Sequence, residues 1–453
     1  MATSLPSQSQ PREAPMRSIF AAVPVSFLLP TVLSAVLAAP SPTQAQATSE
    51  ECTAGVASGK ATTDGRPLLW KTRDAGATNN EVIWNTSGKH HFVSVITAGD
   101  PGSSWMGVNE KGFAIINTAS SDLGSGRPTT ARAAPAQPGL GNGTLMARAL
   151  AECATVEEFE ALLKATNPIG RQTATNFGVI DATGAAAFFE TADDRYWRYD
   201  AANTEKGYIL RTNFAIHGAR EGLLARPYSM DRYLQTDELV RDFFLTERID
   251  FKEIVKHQIR SFGDADGNLV PLPITGSYDG HPRGYFPHDH SINRSSSVSF
   301  AVIQGVLPGE DARLSTMWTI LGQTSTGILV PYWPVGATPA EADGPETAPL
   351  NDAANRIKKE LYEPVPAEAV GPEGQQARPT YINTLALQDE NGDGIWKITL
   401  PVEDSIIAEA ERKLEAWRAS GPDVEVMLET ERTMTARALA TLERAYQYLT
   451  GRR

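Results

Sequence analysis

Only two cysteines, Cys52 and Cys153, occur in a chain of 453 residues. That excludes a disulfide-stapled scaffold and a four-thiolate zinc site. Positive charge is scarce as well, with 41 Lys and Arg against 54 Asp and Glu and a formal net charge of −13. Such a chain lacks the concentrated positive field that displaces counterions, which excludes sequence-independent binding to DNA or RNA. Beyond the first fifty residues no stretch approaches the roughly 20 apolar residues that a membrane span needs. What is present is an ordinary globular balance, 41% hydrophobic and 21% charged. The length fits up to three domains, or one large layered domain with an appendage.

The first fifty residues read as an address. Arg12 and Arg17 precede an apolar stretch from Ile19 to Ala38, and small residues then lead to Ala45-Gln46-Ala47. A positive start, an apolar middle and an Ala-x-Ala exit describe a secretory signal peptide. The alternative, a membrane anchor, is disfavoured by Pro24 and Pro30 within the run. We expect a signal peptide over 1–47, a short pro-segment over 48–51 and a secreted or periplasmic protein with no stable membrane anchor after cleavage.

From Cys52 onward the pattern is one of short strands. Cys52–Gly59, a turn at Thr63-Asp64-Gly65, and Pro67–Asp74 read as a hairpin. Phe92–Thr97, Ser104–Val108 and Phe113–Asn117 continue it, the last two joined by a turn at Asn109–Gly112. A helical pair follows a Gly/Pro/Ala-rich loop at 122–143. Asn142 stands at the start of its first helix, and Thr155-Val-Glu-Glu158 forms a capping box for the second. Strands resume over 176–190, 195–199 and 207–213, helix is expected over about 229–262, and three more strands near 296–306, 314–321 and 326–333. Residues 338–348 read as a linker, and helices dominate beyond it, notably 403–419 and 422–449. Blocks of antiparallel strands with helices between and after suit an α+β fold, two stacked sheets covered by helices; periodicity alone does not select it.

Cys52 opens a strand just beyond the expected cleavage site. If the Glu51–Cys52 bond is also cut, one residue presents a thiol and a free α-amine, and the amine can serve as base for the sulfur. Its reference pKa of about 7.7–8.0 lies close to working pH. A nearby cation lowers the thiol pKa and raises its reactive fraction.

Cys52-Thr53, Asp64-Gly65 and Leu68-Leu-Trp-Lys-Thr-Arg-Asp74 resemble the opening hairpin of the cysteine N-terminal-nucleophile (Ntn) hydrolases. That group includes the choloylglycine (bile-salt and penicillin V) hydrolases and the acyl-coenzyme A:isopenicillin N acyltransferases. Asn109–Asn117 resembles their second hairpin and Leu210-Arg-Thr-Asn213 the segment with an oxyanion-hole asparagine. His290–Val302 resembles the arginine-bearing strand, and Gly327–Pro334 a late strand of the acyltransferase-like branch. The resemblance implies a four-layer αββα sandwich over 52–340, with 341–453 a linker and mainly helical C-terminal region that it does not identify. It further implies Cys52 as nucleophile and self-processing residue, Asp74 holding the α-amine, and Asn213 donating its side-chain amide to the developing oxyanion, helped by Asn117 or its backbone. Arg294 would supply positive charge near the thiolate. One position departs from the bile-salt hydrolases, whose arginine three residues before the aspartate is here Lys71, while Arg73 adjoins Asp74. Lys71 and Arg73 share one face of a strand and Asp74 the other, so which cation serves, or whether the strand is bulged, stays open.

The implied reaction is cleavage of a linear amide in a small-molecule acyl-amide substrate, with no cofactor and no metal. Acyl transfer to an amine is the alternative within the same chemistry. A secreted binding protein with Cys52 buried, or bridged to Cys153, is the alternative outside it. His288-Asp289-His290 near His281 lacks a second ligand pair at zinc spacing. Asp389–Gly394 resembles the start of a calcium loop but carries Leu400 where glutamate is needed. Trp70, Trp84, Trp105, Phe113 and Tyr285 are candidates for an apolar acyl pocket, although aromatics on strands more often build core. Homo-oligomerisation is a general expectation for such a protein.

Overall fold

The computed structural model describes residues 51–120, 122–123, 139–220, 229–344, 347–363 and 381–451. The expected signal peptide and residues 48–50 of the pro-segment lie outside them. Strands in chain order are β1 (Glu51–Ala57), β2 (Leu68–Asp74), β3 (Asn80–Asn85), β4 (Phe92–Thr97), β5 (Met106–Asn109), β6 (Ala114–Ala119), β7 (Thr175–Ile180), β8 (Ala186–Thr191), β9 (Tyr196–Asp200) and β10 (Tyr208–Arg211). They continue with the short β11 (Phe262–Gly263), β12 (Leu269–Val270) and β13 (Tyr285–Pro287), then β14 (Ser297–Gln304), β15 (Thr316–Leu321), β16 (Val330–Tyr332) and β17 (Tyr381–Asn383). Helices are α1 (Asn142–Glu152), α2 (Val156–Thr166), α3 (Ile216–Arg220), α4 (Met230–Thr246), α5 (Phe251–Glu253), α6 (Pro349–Leu361), α7 (Thr384–Leu387), α8 (Trp396–Ser420) and α9 (Val424–Gly451).

Local chemistry explains the first hairpins. The β1–β2 connection turns at Asp64, whose carboxylate accepts the Arg66 N–H (3.1 Å), and at Gly65, whose φ of 77° suits a residue without Cβ. In the β5–β6 turn Asn109 Oδ1 accepts the N–H groups of Lys111 (3.0 Å) and Phe113 (3.1 Å). Two antiparallel sheets result, one ordered β10-β1-β2-β14-β15-β16 and the other β3-β4-β5-β6-β7-β8-β9.

Strand parity then sets the layers. On β6, Ala114 and Ile116 join the main core with Ala54, Val56 and Leu69, while Ile115 joins Leu145, Met146, Phe159 and Leu163 of α1 and α2. On the other side, α4 packs on β1 and β10, α6 on β15, and α8 and α9 on β16. The order is helices, sheet, sheet, helices: the α+β, four-layer arrangement that the resemblance implies.

Three features depart from the sequence reading. The helix expected over 229–262 is broken: Glu247 ends α4, Arg248 takes a φ of 73°, Ile249 bridges to Thr62, and Asp250 caps a new start with its carboxylate on the Lys252 N–H. Strand β3 carries only three consecutive apolar residues, too short a run for periodicity to report. The C-terminal region also contributes β17, paired with β13.

The β1–β2 contact is especially close at Gly55, which stands opposite Trp70. A Cβ built there would lie 2.1 Å from Trp70 Cζ2. Gly55→Ala is therefore expected to destabilise the fold by about 1–3 kcal/mol through overpacking, measured as a lowered urea midpoint.

Candidate active site

Cys52 is the second residue of β1 and has no solvent exposure. In the antiparallel register it faces Arg73, Ala54 faces Lys71, and Glu51 faces Asp74. Directly opposed residues project to the same side. Cys52, Lys71 and Arg73 thus share the face turned to the second sheet, and Glu51, Thr53 and Asp74 share the other.

Arg232, from the first turn of α4, is wholly buried and draws these pieces together. Its Nη1 donates to the Cys52 carbonyl (2.9 Å) and Thr53 Oγ1 (3.1 Å), and its Nη2 to Asn213 Oδ1 (2.8 Å). The same Asn213 oxygen accepts the Cys52 backbone N–H at 2.9 Å. Asn213 is fixed further by its Nδ2, which donates to the Ala119 carbonyl (3.0 Å), and by its backbone N–H, which donates to Ser229 Oγ (2.9 Å). Sequence reasoning missed Arg232, because an arginine in a predicted helix carries no local mark of burial.

Asp74 is fully buried. Ser297 Oγ donates to its Oδ1 at 2.6 Å, whereas Oδ2 lies 3.8 Å from both Arg232 Nη1 and Arg294 Nε and has no hydrogen-bond partner. Burial outweighs the attraction of Arg232, the Ser297 bond and the more distant Lys358 and Lys71, and it pushes the carboxyl pKa up to about 7. The bulge considered for β2 lies on its neighbour instead: pairing shifts between Ser297 and Ser299 of β14, and Ser297 stands beside Asp74. The carbonyls of Ser295 and Ser297 at this irregularity accept the Lys358 ammonium from α6 (2.6 and 3.1 Å). Arg294 donates from Nε to Ser296 Oγ (2.9 Å) and pairs through Nη2 with the Glu51 carboxylate.

On the other face the two cations have separate tasks. Lys71 donates to Asn117 Oδ1 (2.6 Å) and to the Trp105 carbonyl (3.4 Å). That bond fixes the amide's orientation and leaves Asn117 Nδ2 buried without a hydrogen-bond partner. Arg73 donates to Asn80 Oδ1 (2.6 Å) and lies over the Trp105 ring, 4.5 Å from its centroid. By register Arg73 is the cation beside Cys52. The structure thus gathers all seven sequence candidates around the start of β1 and adds Arg232, Ser297 and Lys358.

Of the aromatic candidates, Trp70 and Phe113 are core, and Trp84 packs edge-on against His91. Tyr285 lines a separate cavity of about 460 Å³ with Arg283, Leu385 and Tyr448. Trp105 alone touches the site. Neither cysteine is in a disulfide, so the Cys52–Cys153 bridge is not formed, and burial among α1 and α2 pushes the Cys153 thiol up to about 12. The three histidines have different partners: His281 meets Glu363 and His290 meets Asp231, each at 2.6 Å, while His288 Nδ1 lies 2.9 Å from the Asn293 carbonyl. Asp389 closes a turn onto the N–H groups of Asn391 and Asp393. Among the described residues no helix is long and apolar enough to cross a membrane.

Two facing antiparallel sheets between helical layers, with a cysteine near the head of an inner strand, are the arrangement that the resemblance to the N-terminal-nucleophile hydrolases implies. Residues 61–271 match the family model described as acyl-coenzyme A:6-aminopenicillanic acid acyl-transferase. Similar solved structures include two variants of conjugated bile acid hydrolase from Clostridium perfringens. One is 11% identical, covering 62% of this chain and 92% of that one with a TM-score of 0.34; the other is 12% identical, covering 66% and 95% with a TM-score of 0.37. A penicillin V acylase from Agrobacterium tumefaciens is 16% identical, covering 62% of this chain and 85% of that one, with a TM-score of 0.37. A search of curated proteins finds no match.

The raised pKa of Asp74 has a sign that can be tested. Between its ordinary value near 3.8 and about 7, the folded state keeps a proton that the unfolded state has released, so this group's contribution to stability falls as pH rises. With the Glu51–Cys52 bond intact, in a Cys52→Ala background, the protein should lose a few kcal/mol of unfolding free energy from pH 4 to pH 8 relative to its Asp74→Asn variant, measured by urea denaturation at each pH. Parallel curves would show that Asp74 titrates normally.

Proposed function

We propose that this protein is an exported hydrolase that removes its residues through Glu51 and then cleaves a linear amide with the Cys52 thiol. The carrying observation is that the Cys52 nitrogen, which becomes the α-amine on processing, is already held by Asn213 Oδ1 in a wholly buried setting. An amine bound through its N–H to a fixed acceptor presents its lone pair in one direction and can take the thiol proton. Asp74, with one oxygen outside any hydrogen bond, supplies the counter-charge when that amine becomes an ammonium. The electrostatics reverse there: the arriving cation favours the ionised carboxylate that burial alone disfavours.

Sulfur attack on the substrate carbonyl gives a tetrahedral oxyanion. Asn117 Nδ2 is the donor suited to it, since Lys71 occupies the amide's oxygen and so directs its N–H groups away from that cation. Asn213, held through Ala119 and Ser229, is the second donor, and Arg73 supplies positive charge beside the thiolate. Collapse expels the amine with the proton held by the α-amine, and water cleaves the acyl-thioester. This reading calls for no cofactor and no metal. Acyl transfer, with an amine replacing that water, is the second reading, and the acyl-transferase family match favours keeping it. A competing amine added to a chromogenic amide separates the two by product ratio. The likeness to a conjugated bile acid hydrolase and a penicillin V acylase agrees with a small acyl-amide as substrate.

Intact-mass analysis tests the proposal directly. The active protein should begin at Cys52, and Cys52→Ala should keep residues ahead of it and show no turnover. Full activity in that variant, or an active wild type beginning elsewhere, rejects the mechanism. In the processed enzyme Lys71→Met should lower kcat by about 100-fold, the scale of losing one oriented oxyanion donor, with a much smaller change in KM.

A further inference from the structure

The first acyl group handled by this site is its own Glu51, if Cys52 acts as proposed above. Attack of the Cys52 sulfur on the Glu51 carbonyl carbon breaks the Glu51–Cys52 C–N bond and forms a C–S bond. The former amide nitrogen becomes the α-amine and takes the thiol proton. Water then cleaves the thioester, its hydroxyl completing the Glu51 carboxyl group and its proton returning to sulfur. The intermediate is an acyl-thioester on the same sulfur that a substrate amide would later acylate. Whatever holds the Glu51 side chain is therefore placed to hold the acyl group of a substrate.

That group is Arg294. Its guanidinium pairs with the Glu51 carboxylate, and the two side chains keep only 11% and 14% of their exposure. Acidic and basic side chains are buried to this extent only when paired. Arg294 is also held in place: Ser296 Oγ accepts its Nε, Gln323 Nε2 donates to its carbonyl at 3.0 Å, and Lys358 holds the carbonyls of Ser295 and Ser297. When the pro-segment departs, this guanidinium stays while its Glu51 partner goes. Counted from the attacked carbonyl carbon, the Glu51 carboxylate carbon is the fifth of a five-carbon chain, which is the skeleton of a glutaryl group.

We infer that the site takes amides of glutaryl type, whose acyl chain ends in a carboxylate that replaces that of Glu51 on Arg294. Charge-assisted pairing between guanidinium and carboxylate favours such an acyl group. A neutral chain of equal length would not replace the direct pair that Glu51 makes with this largely buried guanidinium. The amine side of the substrate is not restricted by this contact.

The test compares glutaryl-p-nitroanilide with pentanoyl-p-nitroanilide on processed wild-type protein, and follows maturation of Glu51→Gln precursor by intact mass. We expect kcat/KM at least tenfold higher for the glutaryl anilide and processing at least tenfold slower for Glu51→Gln. Equal or better cleavage of the pentanoyl anilide overturns the acidic acyl class while leaving Cys52 as nucleophile. So does a Glu51→Gln precursor that matures at the wild-type rate, or a chain beginning at Cys52 that cleaves neither anilide. A protein never opened at Cys52 rejects the nucleophile itself, and this inference with it.

Discussion

The pairing register of β1 with β2 is the constraint on which the site depends. It places Cys52 opposite Arg73 and Glu51 opposite Asp74, so the sulfur and the carboxyl lie on opposite faces of one hairpin. A slip of one residue would exchange the faces and send Cys52 toward α4. The close fit of Gly55 under Trp70 and the turn at Asp64-Gly65 both hold the strands against such a slip.

The buried charges follow from that arrangement. Two cations, Arg232 and Arg294, approach Asp74 without bonding it, and Ser297 bonds only one of its oxygens. An incompletely satisfied carboxyl in a dry site is expensive. Its cost is concentrated at the point where processing would create a new positive charge. On the facing side Lys71 and Arg73 are each engaged with the second sheet, through Asn117 and Asn80. The two sheets are therefore joined across their interface by polar contacts as well as by apolar packing.

Much of this was legible beforehand, for identifiable reasons. The hairpins announced themselves through Asp64-Gly65 and Asn109–Gly112, because turn chemistry is local. Asp74, Asn117 and Asn213 became candidates only through the resemblance, since each taken alone reads as an ordinary turn or strand-end residue. Arg232 was not, since its importance comes from crossing from α4 to β1, a contact with no sequence period. Lys358 was hidden for the same reason, in a region that carried no motif at all. The opposition of Lys71 and Arg73 to Asp74 followed from strand parity, but the bulge belongs to β14, which only the paired register reveals.

Lys358 has a consequence for the order of events in the life of the molecule. The turn that carries Arg294 and Ser297 is braced by an ammonium from α6, encoded far downstream of the cysteine it serves. A nascent chain emerging from the ribosome, or threading through a translocation channel, cannot complete this brace until most of its length has been delivered. The proposed self-cleavage is thereby tied to the end of synthesis, and until then the nitrogen that would become the activating amine stays locked in a peptide bond.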